Sequence, residues 1–230
     1  MRIGGFQKTS LLDYPDRISA IIWTSGCNFR CPFCYNKNLA LGTGEIFPEE
    51  VILSFLSKRR EMLEGVVISG GEPFLQDQLL DFLKKVKTMG YLVKIDTNGA
   101  YPEPLEELLD THMVDYVAMD VKAPKNKYNT LTGVSVDLSK IETSIHLLTT
   151  KAPAYEFRTT FIPDLLKKED IIEIAQWLEG AETFYLQQFK PMTPLISSQL
   201  ETAAPYAKEY FLETLKAIQP FFKNCHIRGI

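Results

Sequence analysis

Three cysteines fall within eight residues, Cys27-Asn28-Phe29-Arg30-Cys31-Pro32-Phe33-Cys34, giving the spacing CxxxCxxC. Thiolates are the usual ligands of iron-sulfur clusters, and a cubic four-iron cluster presents four corners. Three neighbouring cysteines fill three corners and leave the fourth open to an outside ligand, unless Cys225 reaches it. A structural zinc ion would instead want four protein ligands, commonly two CxxC-like pairs or a Cys pair with a His pair. His112, His146 and His226 form no such pair, although Cys225-His226 could supply a fourth ligand. Cys27, Cys31 and Cys34 are therefore the metal-ligating and catalytic candidates, and Cys225 reads as a structural or incidental thiol.

Other residue types suited to chemistry fall at the ends of apolar runs. Ser69-Gly70-Gly71-Glu72-Pro73 closes one run; two glycines let a ligand approach the backbone, although glycine pairs at strand ends are usually only turns. Asp96-Thr97-Asn98-Gly99 closes another. Asn98-Gly99 alone would be a hairpin turn, but the following YPEPLEELLD looks helical, so the turn leads from strand to helix. Asp120-Val121-Lys122 ends the next run, and a carboxylate beside a lysine there is most often a surface ion pair worth little. Arg158, inside the apolar YEFRTTFIP, must be paired in the core or point to a wet mouth, because an unpaired buried guanidinium is too costly. Gln187, Gln188 and Lys190 end a later run.

Positioning these residues requires an alternating α/β chain. Strands are expected near 18–24, 65–69, 91–96, 114–119, 155–162 and 183–188, with a short one at 225–228. Helical patterns lie near 48–63, 77–89, 103–111, 137–149, 167–179 and 205–219, and residues 1–17 have hairpin character. Strand-helix-strand spacing predicts a parallel sheet covered by helices, as an open partial barrel or a doubly wound sheet. In either, the carboxyl ends of the strands share the ligand-binding face, so six segments converge on one mouth. The segment 188–203 carries no clear pattern.

Composition bounds the rest. The 230 residues are 45% hydrophobic and 23% charged, as expected for one soluble globular domain spanning 1–230. A net charge of -4 and a pI near 5.5 give no general field for polyanions, so nucleic acid is not the expected partner. Neither a signal peptide nor a membrane span is legible, and the four cysteines do not read as a disulfide framework; a cytoplasmic protein is expected.

The cysteine motif, with aromatic Phe33 before the third cysteine, resembles the signature of the radical S-adenosylmethionine (SAM) superfamily. That resemblance implies a partial (β/α)6 barrel with a cluster loop over 25–37. It also implies one 4Fe-4S cluster whose open iron chelates the amino and carboxylate groups of SAM, and reductive cleavage of SAM to methionine and a 5'-deoxyadenosyl radical. Gly70, Gly71 and Glu72 match the superfamily's GGE motif, which binds the methionyl amino group, and Phe33 would pack beside the adenine. The Asp96 and Asp120 segments resemble the DTNG and DLK motifs of glycyl-radical-enzyme activases. There Asp96, Thr97 and Asp120 would hold a monovalent cation, Lys122 would contact the cofactor carboxylate, and Arg158 would contact the cofactor or the substrate loop.

The stretch GFQKTSLLDYPDRISAIIWTSGCNFRCPFCYN is most similar to the activating proteins of anaerobic ribonucleoside-triphosphate reductase; pyruvate formate-lyase activase is somewhat more distant. Tyr35 stands where many of these activases carry His. QQFKP at 187–191 has no counterpart to a His that pyruvate formate-lyase activase uses near the cofactor, and Lys190 is the candidate for that place. No cysteine lies between Tyr35 and Ser69, so no second cluster is expected. The implied activity is oxidoreductive, transferring a radical to a glycine of a partner enzyme, with an electron donor such as flavodoxin or ferredoxin. The rival readings are a radical enzyme acting on a small molecule such as a deazaguanine precursor, and a non-catalytic metal or electron-transfer protein.

Overall fold

The computed structural model describes residues 1–191 and 194–230. Met192 and Thr193, within the unassigned 188–203 segment, lie outside the described residues. Among the described residues, eight strands run in sequence order through one sheet: β1 Ile3–Ser10, β2 Ser19–Thr24, β3 Gly65–Gly70, β4 Leu92–Thr97, β5 Tyr116–Asp120, β6 Tyr155–Phe161, β7 Thr183–Gln188 and β8 Asn224–Arg228. β1 pairs antiparallel with β2, and every later pair is parallel. The crossovers carry helices α1 Lys37–Leu41, α2 Glu49–Ser57, α3 Leu79–Thr88, α4 Pro102–Asp110, α5 Tyr128–Thr132, α6 Leu138–Lys151, α7 Lys168–Trp177 and α8 Lys208–Ile218. The open partial barrel is thus the outcome, with β1 as an added antiparallel edge. Among the described residues no helix is long and apolar enough to cross a membrane.

Each expected strand forms within a residue or two of its anticipated bounds, because runs such as Ala20-Ile21-Ile22 and Val66-Val67-Ile68 are buried on both faces. The helices differ more. α2 stops at Ser57 rather than near 63, where the chain turns to bring Leu63 inward to 5% exposure. α8 starts at Lys208 rather than 205, since Pro205 keeps the residue before it extended. α6 begins where anticipated, capped by Asp137, whose carboxylate accepts from the Ser139 amide at 3.1 Å.

Register divides each strand between two layers. One face, including Val66, Ile68, Val93, Ile95, Val117, Phe157 and Phe184, packs under the helices in the main core. The other lines the lumen: Ile21 lies level with Val67, Val67 with Lys94, Lys94 with Tyr116, Ala118 with Glu156, Asp120 with Arg158 and Gln187 with Arg228. At the amino ends of the strands the lumen is floored by a separate apolar cluster of Tyr14, Ile21 and Val67, against which Trp23, Leu92 and Tyr116 pack. Charged side chains fill the level above.

At the carboxyl ends, the turn after β3 fastens the barrel to the cysteine loop. Gly71 donates its amide to Thr24 O at 2.9 Å, and Glu72 donates to Gly26 O at 2.9 Å. A Cβ on Gly71 would stand 1.9 Å from Gly26 O, so the two backbones touch in a way only glycine permits; Gly70 holds φ at 115°. The Glu72 side chain is fully buried. Its Oε1 accepts from Thr97 Oγ1 at 2.8 Å and Phe74 N at 3.2 Å, and its Oε2 accepts from Asn98 N at 2.8 Å. Burial pushes this carboxyl up to about 7, even though the bonds from Asn98, Thr97 and Phe74 favour the carboxylate.

Two measurements test this lacing. Gly71→Ala is expected to cost about 2–4 kcal/mol and to lower the thermal midpoint by roughly 5–15 °C, because backbone must move to admit the methyl group. Since the folded-state pKa of Glu72 lies above the unfolded value of about 4.3, its contribution to stability is complete below that pH and is lost as pH rises through about 7. The thermal midpoint of wild type relative to Glu72→Gln should therefore fall as pH is raised across that window; a difference independent of pH would contradict the shift.

Candidate active site

A cavity of about 260 Å³ opens where the strands end, near the lower bound of ~300 Å³ for small-molecule sites. Its wall brings together Cys27, Cys31 and Cys34 with Phe33, Gly70, Gly71, Asp96, Thr97, Asp120, Lys122 and Arg158. All of these were anticipated from the sequence, and they arrive from β2 through β6. The cysteine loop is held from several sides by its backbone. Gly26 and Cys27 donate amides to Leu39 and Ala40 carbonyls of α1, Arg30 donates to Thr132 O at 2.8 Å, and Ser197 donates to Pro32 O at 2.9 Å. Gln76 Nε2 donates to Ser25 O at 3.0 Å. The loop is therefore positioned without using its thiols.

Cys27 Sγ accepts weakly from Phe29 N at 3.4 Å. Asn98 Nδ2 donates to Asn28 Oδ1 at 2.8 Å and lies 3.9 Å from Cys27 Sγ. Burial pushes the Cys27 thiol up to about 12 and the Cys31 thiol up to about 11. A coordinating thiol is deprotonated outright, so metal loading at these residues must release protons. Among the described residues, no three His, Cys, Asp or Glu side chains converge as a single-ion site would require. A zinc ion needs its thiolates about 2.3 Å from one point, whereas a cubic cluster takes one thiolate at each of three separate corners. The donor set, soft thiolates on one loop facing an open cavity, is of the kind that fits an iron-sulfur cluster.

Facing the thiols is a charged wall. Lys122 Nζ donates to Asp120 Oδ2 at 2.9 Å, and Arg158 Nε donates to Asp120 Oδ1 at 2.8 Å. Burial alone would raise the Asp120 carboxyl, but Arg158 and Lys122 more than offset it and hold the group well below the usual carboxylate range. Burial disfavours the charged Lys122, yet Asp120 and the Cys31 side hold its pKa above the ordinary lysine value. Arg158 satisfies both of its alternatives: it is paired in the core and it lines the cavity.

Glu72, Lys190 and the two carboxylates are placed as follows. Glu72 does not line the cavity; its oxygens are committed to Thr97, Asn98 and Phe74, leaving the backbone of Ser69 to Gly71 as the exposed wall. The Lys190 side chain is exposed and stands outside the cavity, where Gln187 and Thr160 are found instead. Both carboxylates expected to hold a monovalent cation are already paired with Lys94, Lys122 and Arg158. Cys225 pairs in register with Phe184 on the helix-facing side of β8, away from the other thiols, and burial pushes it up to about 12. Sequence reasoning missed Lys94, Glu156 and Arg228 in the lumen, and Asn28, which accepts from Asn98 of the cavity wall. Glu156 is fully buried, accepting from Tyr116 Oη at 2.9 Å and from both Arg228 Nη1 and Nη2 at 3.0 and 3.2 Å. The available signal was charge at alternate positions within an apolar strand.

Comparison with known proteins agrees with this geometry. Residues 21–182 match the Radical SAM superfamily. A Methanocaldococcus jannaschii protein named as a glycyl-radical enzyme activating enzyme is 36% identical over 234 residues, covering 99% of this chain and 96% of its own. The Escherichia coli pyruvate formate-lyase 1-activating enzyme is 31% identical over 144 residues, 58% of this chain and 57% of that protein. Among solved structures, Streptococcus suis SuiB bound to S-adenosylmethionine superposes with a TM-score of 0.68 at 15% identity, over 91% of this chain and 50% of that one. A domain of the Bacteroides vulgatus pyruvate-formate lyase-activating enzyme superposes with a TM-score of 0.59 at 20% identity, over 72% of this chain and 99% of that one. Matched through most of its length, the chain is an enzyme of the radical SAM type and belongs to the Radical SAM superfamily.

Proposed function

We propose that this chain is a glycyl-radical-enzyme activase whose partner is anaerobic ribonucleoside-triphosphate reductase. The observation that carries the reading is the cavity itself, in which three thiols of one loop face Lys122 across a space open to solvent. Near-complete coverage of a relative named as a glycyl-radical enzyme activating enzyme supports the class. The N-terminal stretch through Asn36 supports the reductase as partner; the E. coli match favours pyruvate formate-lyase as the second reading.

Cys27, Cys31 and Cys34 would hold one 4Fe-4S cluster; Cys225, on the helix-facing side of β8, is not among the residues lining the cavity. Held there and reduced by a donor such as flavodoxin or ferredoxin, such a cluster would supply the single electron for reductive cleavage of the SAM carbon-sulfur bond, the chemistry needed to take a hydrogen atom from a glycine Cα. Lys122, held on Asp120, offers its ammonium to the SAM carboxylate, and Arg158 backs that wall with a second positive charge. The main chain at Ser69 to Gly71 meets the amino group. Phe29, Phe33 and Ala40 give the cavity its apolar side, which limits water around the reacting atoms. Phe33 is the residue that would flank the adenine.

Replacing any one of Cys27, Cys31 or Cys34 by Ala is expected to abolish SAM cleavage after anaerobic reconstitution with iron and sulfide, while Cys225→Ala keeps it. Lys122→Ala is expected to weaken SAM binding about tenfold to a hundredfold, the loss of one charged contact of ~1.5–3 kcal/mol. Unchanged affinity with the cluster intact would return Lys122 to a surface ion pair. With the reductase, reductant and SAM, the chain should yield 5'-deoxyadenosine and a glycyl radical on the reductase, read by paramagnetic resonance. A radical on pyruvate formate-lyase alone would shift the partner and keep the class. Deoxyadenosine formed only with a purine-like metabolite would overturn the activase reading.

A further inference from the structure

The lumen beneath the cavity contains a buried lysine that the cofactor-facing wall does not use. Lys94 lies on β4 two residues before Asp96, on the same face, and is 2% exposed. Its Nζ donates to Asp96 Oδ1 and stands 5.9 Å from the centroid of the Tyr116 ring. A buried ammonium costs several kcal/mol unless it is paired, so this contact fixes the side chain. The other Asp96 oxygen accepts from Ser69 Oγ at 3.1 Å and faces Arg158 Nη1 at 3.4 Å.

These contacts bear on the monovalent cation that the activase resemblance implies for Asp96, Thr97 and Asp120. Asp120 is occupied by Lys122 and Arg158. Thr97 Oγ1 donates to Glu72 at 2.8 Å and accepts from Gly99 N at 3.1 Å, so its proton and one lone pair are already engaged. In the joined network, four cationic side chains, Lys94, Lys122, Arg158 and Arg228, meet three carboxylates, Asp96, Asp120 and Glu156. A metal cation would therefore enter a network whose cations already outnumber its carboxylates by one, where like charges at close range repel. The residues present do not fit the ion.

We propose that Lys94 is the built-in cation of this site: its ammonium, fixed on Asp96, supplies the positive charge beside the carboxylate pair, and neither sodium nor potassium binds there. Lys94 is a positioning residue. It touches no ligand, and it acts by holding Asp96 against Arg158, which in turn holds Asp120 and Lys122 at the cavity wall. A tethered ammonium has no dissociation equilibrium, so the charge is present at every salt concentration. The inference rests on the proposed use of that wall for the cofactor carboxylate.

The test compares potassium chloride, sodium chloride and choline chloride at equal ionic strength. The thermal midpoint of the wild-type protein is expected to be the same in all three. A saturable rise with potassium or sodium, absent in choline, would overturn the proposal. Lys94→Met removes the charge at similar length and opens a vacancy beside Asp96. In choline chloride the reconstituted variant is expected to bind SAM about tenfold more weakly than wild type, and potassium should restore part of the loss. Unchanged affinity of this variant in choline would also overturn the proposal. If Lys94→Met does not fold, the wild-type ion series decides alone. That series needs neither cofactor nor partner, so it can fail while radical transfer to the reductase succeeds; conversely, an ion-independent midpoint with no radical transfer would remove the activase reading and leave the internal cation in place.

Discussion

Arg158 cannot be deprotonated and sits where water barely reaches, so the barrel has to answer it with carboxylates. Three do, each from a different strand: Asp96 from β4, Asp120 from β5 and Glu156 from β6. Each carboxylate then requires its own further partner, and Lys94, Lys122 and Arg228 follow. Arg228 is on β8, so the chain of ion pairs runs from the fourth strand to the last and fixes the side-chain levels of the lumen. Removal of one member would leave a buried charge uncompensated, which is the costly case for such networks. The cavity wall that faces the thiols is the upper end of this chain.

The opposing wall is built on a different principle. The cysteine loop is suspended almost entirely by main-chain hydrogen bonds to α1, to the turn after β3, to Thr132 and to Ser197. Its side chains are thereby spared for ligands. Backbone contact at Gly71 and Gly26 sets how closely the loop approaches the sheet, and Glu72 carries that constraint on to β4 through Thr97 and Asn98. Asn98 then reaches back to Asn28, between the first two cysteines. A closed circuit of β2, the cysteine loop, β3 and β4 results, with the thiols on its inner side.

Much of this was legible from residue order. Apolar β-branched runs marked the parallel strands, and the residues that interrupt chemistry-poor segments fell at their carboxyl ends. The direction of Glu72 was not legible because the motif fixes where the glutamate is in the chain but not which way a turn through two glycines aims it. Lys94 and Glu156 went unnoticed because each was judged within its own strand. The pairs Lys94 with Asp96, Asp120 with Lys122 and Glu156 with Arg158 all have a spacing of two, on three consecutive strands. Alternation places each pair on one face, and only in a curled sheet do the three faces meet. Asn28 carried no signal beyond being beside Cys27, since its contact with Asn98 joins residues seventy positions apart.

The apolar floor of Tyr14, Ile21 and Val67 makes the lumen a blind well. Among the described residues, the ion-paired level and this aromatic floor lie beneath the cavity, and its mouth is over the cysteine loop. On the proposed reading, a small molecule lying against the charged wall would be enclosed while a larger body covered the rim, and its fragments would be exchanged when that body withdrew.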